Sequence, residues 1–141
     1  MQIRRVMFIA FVCSVATTAL VAASSSVGAQ TSRTWTLGED ADTKKNPLTP
    51  DEKTLAAGRA LYKDKCARGH GPGGLGDGPD GDPELEMNLT DPKRAARNPD
   101  GVVFYKVLNG RGRPKMPAFK DELNEEQIWT IVTYVQTLRK K

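Results

Sequence analysis

Seven of the thirteen residues from Gly69 to Gly81 are glycine, and Pro72 and Pro79 stand among the rest. Such a run has no hydrophobic period and loses much backbone entropy on ordering, so something else must hold it in place. The flanking sequence offers short helices for that task. Thr49-Pro50-Asp51-Glu52 reads as a capping box with proline in the first turn, followed by Leu55, Gly58, Leu61 and Tyr62 up to about Cys66. A second helix is expected around Asp100 to Leu108, stopped by Asn109-Gly110. The last is capped by Asn124 with Gln127 at N3, and carries Ile128, Ile131, Val132, Val135 and Leu138 on one stripe. A second irregular stretch, Arg111 to Pro117, precedes it, and no internal repeat is present.

The chain has 141 residues, but its first part reads as a targeting segment. Arg4 and Arg5 precede an apolar run from Val6 to Ala23, and the small residues from Ser24 to Ala29 follow. That order is the charged, apolar and small-residue pattern of a secretory signal peptide, cut after Ala29. A membrane anchor is the competing reading, but alanines and hydroxyl residues dilute the run. The expected division is therefore 1–29 as a signal peptide, 30–48 as a flexible polar arm and 49–141 as one small domain. No stable membrane span is expected after cleavage, and the site of action is periplasmic.

Two cysteines and one histidine are too few for a disulfide scaffold or a four-ligand Cys/His zinc site. Cys13 leaves with the signal peptide, so Cys66 is alone in an exported chain, where an unpaired cysteine is a reactive thiol or an attachment point. The formal charge of +4 falls when Arg4 and Arg5 are removed, leaving 19 basic against 17 acidic residues, so nucleic-acid binding has little support. A domain of this size buries a small fraction of its surface, and here it must also order some forty residues of loop. An apolar cofactor would supply the missing core.

Cys66 and His70 lie four residues apart at a helix end, on the same side of one turn. Met116 follows 46 residues after His70 in a proline-bounded loop, outside any helical stripe. Imidazole nitrogen and thioether sulfur are an axial pair for a low-spin haem iron in electron-transfer proteins. The thiol can add across a porphyrin vinyl group to form a thioether.

From about Thr49 to Leu138 the sequence resembles the class I c-type cytochromes. The resemblance is carried by Gly58-x-x-x-Tyr62, Cys66-Ala67-x-x-His70-Gly71, Gly76-Asp77-Gly78-Pro79, Asn88-Leu89-Thr90-Asp91-Pro92, Asn109-Gly110, Met116-Pro117-Ala118-Phe119, and Gln127-Ile128-Trp129 with Ile131-x-x-Tyr134. It implies a small all-α fold of about three to four helices with long Gly/Pro-rich loops around one haem. It implies His70 as the proximal and Met116 as the distal iron ligand. Pro79 would accept a hydrogen bond on its backbone carbonyl from the imidazole's other nitrogen, fixing the ring's tautomer. Gly58 and Tyr62 would pack closely against Ile131 and Tyr134. Met87, the only rival thioether after the signal peptide, is assigned a structural role at the cofactor edge.

One position departs from the family. Gly69 stands where the attachment motif has its second cysteine, so Cys66 provides at most one thioether. The expected protein is a periplasmic single-electron carrier without bond chemistry of its own. Its partners would be redox proteins docking on a basic ring formed by Arg59, Lys63, Lys65 and Arg68 around Cys66, and Arg111, Arg113, Lys115 and Lys120 around Met116. Arg111 and Arg113 are the candidates for the haem propionates. Three other readings stay open: a haem-free or loosely haem-binding scaffold subunit of a redox complex, a peroxidase-type haem protein lacking the methionine ligand, and a redox-sensing thiol protein using Cys66.

Overall fold

The computed structural model describes residues 34–82 and 86–139, so the expected signal peptide and the expected cut after Ala29 lie outside the described residues. Within the described residues there are five helices and no strand: α1 (Glu52–Lys65), α2 (Ala67–His70), α3 (Pro92–Ala96), α4 (Asp100–Asn109) and α5 (Glu125–Leu138). The three longer ones match the sequence expectation. The other two are single turns, too short to carry a hydrophobic period.

Helix boundaries follow side-chain chemistry. Asn124 accepts from the Gln127 amide at 2.9 Å while the Gln127 side chain accepts from the Asn124 amide at 2.9 Å, so α5 opens on the expected capping box. At α1 the cap is Asp51, not Thr49: its Oδ1 accepts from Thr54 N at 2.7 Å, which leaves Pro50 outside the helix. Gly110, at φ 61°, ends α4 as expected.

Helix α5 is the centre of the core, with Ile128, Ile131 and Val132 at most 1% exposed. Its two buried threonines are satisfied internally: Thr130 Oγ1 donates to Glu126 O at 2.8 Å and Thr133 Oγ1 to Trp129 O at 2.9 Å. From one side α4 brings Phe104 onto the Trp129 ring, stacked with centroids 4.3 Å apart. From the other side α1 lies so close that a Cβ on Gly58 would stand 2.6 Å from Thr130 O and 2.7 Å from Tyr134 Cβ. Only glycine permits that approach, and it sets Tyr62 against Tyr134 with centroids 5.3 Å apart.

The glycine-rich loop folds back beneath α2. Asp80 N donates to Arg68 O at 2.9 Å, and a side chain at Gly78 would collide with the carbonyls of Ala67 and Arg68. Residues 34–48 run over the body and are fastened to it. Tyr105 Oη donates to Asp40 Oδ1 at 2.6 Å, and Asn46 Nδ2 to Thr133 Oγ1 at 2.8 Å. No helix among the described residues is long and apolar enough to cross a membrane.

Candidate functional site

Two adjoining cavities open between these elements, of about 300 and 100 Å³. Cys66, His70 and Met116 line both, so the three residues singled out from the sequence converge on one place. The larger cavity has an apolar wall from Val103 and Val107 of α4, Ile131 and Val135 of α5, and Leu89. Its other end is polar and cationic, formed by Arg94, Arg97, Asn98, Lys106 and Arg139.

His70 is the last residue of α2, and the backbone on both sides of its ring is held. Its amide donates to Cys66 O at 2.9 Å and its carbonyl accepts from Gly76 N at 2.9 Å. The buried Tyr62 hydroxyl donates to Gly71 O at 2.8 Å, tying the turn after His70 to α1. The imidazole Nδ1 lies 2.7 Å from the carbonyl oxygen of Met87. A carbonyl only accepts, so Nδ1 carries the proton and Nε2 keeps its lone pair. Burial lowers the His70 pKa from its ordinary value and so favours the neutral ring, while the bond to Met87 works in the opposite direction. A neutral imidazole with a fixed tautomer is a metal-ligating form.

The carbonyl partner corrects the expectation placed on Pro79. The folding of the loop under α2 carries Pro79 to an exposed position. Met87 is brought to the ring instead by the turn that follows it. Asn88 Oδ1 accepts from Thr90 N at 2.9 Å, and Leu89 N donates to Gly74 O at 2.7 Å. The Met87 sulfur accepts from Asp82 N at 3.1 Å.

Met116 is half-buried in the loop after α4 and paired backbone to backbone with Arg111: each amide donates to the other's carbonyl at 2.8 Å. Cys66, capping α1, is buried. Burial, with a smaller contribution from the Asp64 carboxylate, pushes its thiol up to about 12, so it stays protonated at neutral pH. That state is unreactive and disfavours the redox-sensing reading. Gly69 lines the smaller cavity, and a Cβ there would meet nothing within 4 Å.

The cationic end was not found from sequence. Arg94 Nη1 and Arg139 Nε are buried nitrogens without a hydrogen-bond partner among the described residues. Buried, unpaired guanidinium donors are costly, and acid groups entering the cavity would relieve them. Arg111, one of the residues first matched to propionates, is instead ion-paired with Glu86 (Nη1–Oε2 3.1 Å), and Arg113 is exposed. Apolar walls, an imidazole, a thioether and two unpaired buried cation donors fit an amphipathic macrocycle with two carboxylates.

Residues 53–135 match the family model described as cytochrome c oxidase, cbb3-type, subunit III. The chain belongs to that cytochrome c family. Membership implies a haem and a role in electron transfer. The domain is also similar to a solved chain of the Kuenenia stuttgartiensis reducing HAO-like protein complex, at 31% identity and a TM-score of 0.53. That likeness covers 65% of this chain and 46% of the other, so the cytochrome c domain spans less than half of the chain it matches. No curated protein matches the chain. The fold is the small all-helical one expected for a cytochrome c.

Proposed function

We propose that this cytochrome c domain is an exported, periplasmic single-electron carrier whose haem is ligated by His70 and Met116 and tethered through Cys66 alone. The observation that carries the proposal is the convergence of Cys66 and His70, from the α1–α2 junction, with Met116, from the loop after α4, on the same pair of cavities. The haem supplies the chemistry when bound, its iron alternating between ferric and ferrous states. The protein's own residues position and insulate it. Met87 O holds the His70 ring so that Nε2 is the ligating atom, and the Arg111 bridge holds the Met116 backbone. Val103, Val107, Ile131 and Val135 exclude water from one side, while Arg94 and Arg139 offer donors to the propionates. Two protein ligands would leave no open iron position, which favours electron transfer over oxygen activation.

The proposed chain organisation is a signal peptide over 1–29, an arm over 30–48 and the haem domain over 49–141. The proposed partners are redox proteins, in line with the likeness to a chain of a redox complex. Their docking surface is narrower than the eight-residue basic ring read from sequence. Lys65 is paired with Glu122 and Asp64, Arg68 with Asp80, and Arg111 with Glu86. Arg59, Lys63, Arg113, Lys115 and Lys120 are exposed and form the proposed steering charge.

Expression with export and haem maturation, followed by visible spectroscopy, tests this reading. A low-spin six-coordinate spectrum that is lost in His70→Ala, and becomes high-spin in Met116→Ala, is expected. Absence of a Soret band overturns haem binding, and a high-spin wild-type spectrum overturns ligation by Met116. Haem released by acid-acetone extraction overturns the thioether.

A further inference from the structure

Residues 34–48 lie outside the stretch that matches the cytochrome c family, yet they reach the site. Trp35 lines both cavities alongside Cys66, His70 and Met116. Its ring is shared by two cations, with Lys106 Nζ 4.6 Å and Arg111 Cζ 4.2 Å from the centroid. Lys106 comes from α4 and Arg111 from the loop that carries Met116, so the indole joins the two sides of the cavity mouth. The segment that delivers it is anchored just beyond: Asn109 Nδ2 donates to Thr36 O at 2.8 Å, and Gly38 packs flat on the Tyr105 ring. Ala41 is buried at 4% exposure, and the Asp40 carboxylate takes both the Tyr105 hydroxyl and the Lys44 ammonium.

We infer that this arm is a wall of the haem site and that Trp35 is a positioning residue for the methionine ligand. The inference rests on the proposed reading of the cavities as the haem site. Trp35 acts on Met116 through Arg111. The Arg111 side chain is only 9% exposed, held between the indole and Glu86, and its backbone forms both hydrogen bonds to Met116. Two like charges on one ring repel each other, and the indole face together with Glu86 offsets that repulsion. Without the indole, the Arg111 side chain keeps only the Glu86 carboxylate and the Pro114 carbonyl, and the loop that pairs with the Met116 backbone loses an anchor. The indole also covers the cavity edge. Water admitted there stabilises the ferric state, which carries the larger charge, so the reduction potential falls.

The experiment compares wild type, Trp35→Ala and Trp35→Phe as full-length, haem-loaded proteins. Exogenous imidazole competes with a thioether for ferric iron, and its affinity is read from the shift of the Soret band. Trp35→Ala is expected to bind imidazole roughly tenfold more tightly than wild type and to have a lower reduction potential. Trp35→Phe, which keeps an aromatic face for both cations, is expected to return most of both effects. Unchanged imidazole affinity and potential in Trp35→Ala, with wild type showing the His/Met spectrum, overturns the role of the arm and leaves the proposed function standing. Equal loss in Trp35→Ala and Trp35→Phe overturns the positioning through an aromatic face. A wild type without the His/Met spectrum overturns the proposed function first, and this inference with it.

Discussion

Helix α1 packs against α5 at Gly58 with no room for a Cβ, and replacing that glycine with alanine sets two effects against each other. A glycine in the interior of α1 costs about 1 kcal/mol in helix propensity relative to alanine, so propensity alone predicts that Gly58→Ala stabilises the protein. The geometry predicts the reverse. The new Cβ would stand 2.6 Å from Thr130 O and 2.7 Å from Tyr134 Cβ, where ordinary contact begins at 3.4 Å. Thr130 O is backbone in the middle of α5 and cannot rotate away, so α1 must retreat by roughly 0.8 Å. Overpacking of this kind costs typically about 1–3 kcal/mol. The retreat also strains the Tyr62 hydroxyl's 2.8 Å bond to Gly71 O, a buried bond whose loss costs on the order of 1 kcal/mol or more. The net expectation is a loss of about 1–3 kcal/mol. In urea this moves the unfolding midpoint down by roughly 0.5–1.5 M with an unchanged slope. Ala57→Gly, on the exposed side of the same helix, calibrates the propensity term and should cost about 1 kcal/mol. A Gly58→Ala midpoint equal to or above wild type, with the same slope, would refute the steric argument.

Three further outcomes follow from particular contacts. Gly69→Cys places a thiol beside the smaller cavity where a Cβ meets nothing within 4 Å, so it should fold without penalty and raise the yield of haem-bearing protein. A drop in soluble protein or unchanged haem content, measured from the absorbance ratio after purification, counts against it. Asn124→Ala removes one half of a complete capping box and should cost about 1 kcal/mol in urea unfolding. Asp40→Asn tests the arm by pH. The Tyr105 hydroxyl first, and then Lys44, hold the Asp40 carboxyl below its ordinary 3.8. A carboxyl with a lowered native pKa stabilises fully above the unfolded value and loses that contribution as pH falls through the native one. The stability gap between wild type and Asp40→Asn should therefore be flat from pH 7 to about 4 and close below it. A gap that persists undiminished in strong acid would show that the contact does not depend on the carboxylate charge.

What could be read from the sequence was what side chains encode locally. Asn124 with Gln127, and Asn109-Gly110, mark helix ends through the chemistry of their own residues, and the Ile128 to Leu138 stripe fixes the buried helix. The start of α1 was ambiguous because Thr49 and Asp51 are both competent caps, and only the fold shows that Asp51 takes the role. Pro79 was misassigned because a backbone carbonyl carries no residue identity. Which one meets His70 depends on how the glycine loop folds under α2, and it brings up Met87. Arg94 and Arg139 lie 45 residues apart and meet only because α3 and the end of α5 border the same cavity. No local pattern in the sequence announces that Trp35 reaches the cavity.

Those late-found residues bear on the anomaly in the attachment motif. With Gly69 in place of a cysteine, at most one covalent link can hold the haem, and retention then depends on the non-covalent parts of the site. The structure puts resources there: a held imidazole, a backbone-paired methionine, two buried guanidinium donors and an aromatic strap from outside the family domain. The free space at Gly69 shows that the second cysteine is not excluded by packing. On the proposed reading, a single tether would leave the edges of the site less constrained, and the clamp of Trp35 on Arg111, next to Met116, would supply part of that constraint. By this reasoning the arm should matter most when only one thioether is present. Adding the second link in Gly69→Cys should shrink the effect of Trp35→Ala on imidazole affinity, and an equal effect in both backgrounds would separate the strap from the missing tether.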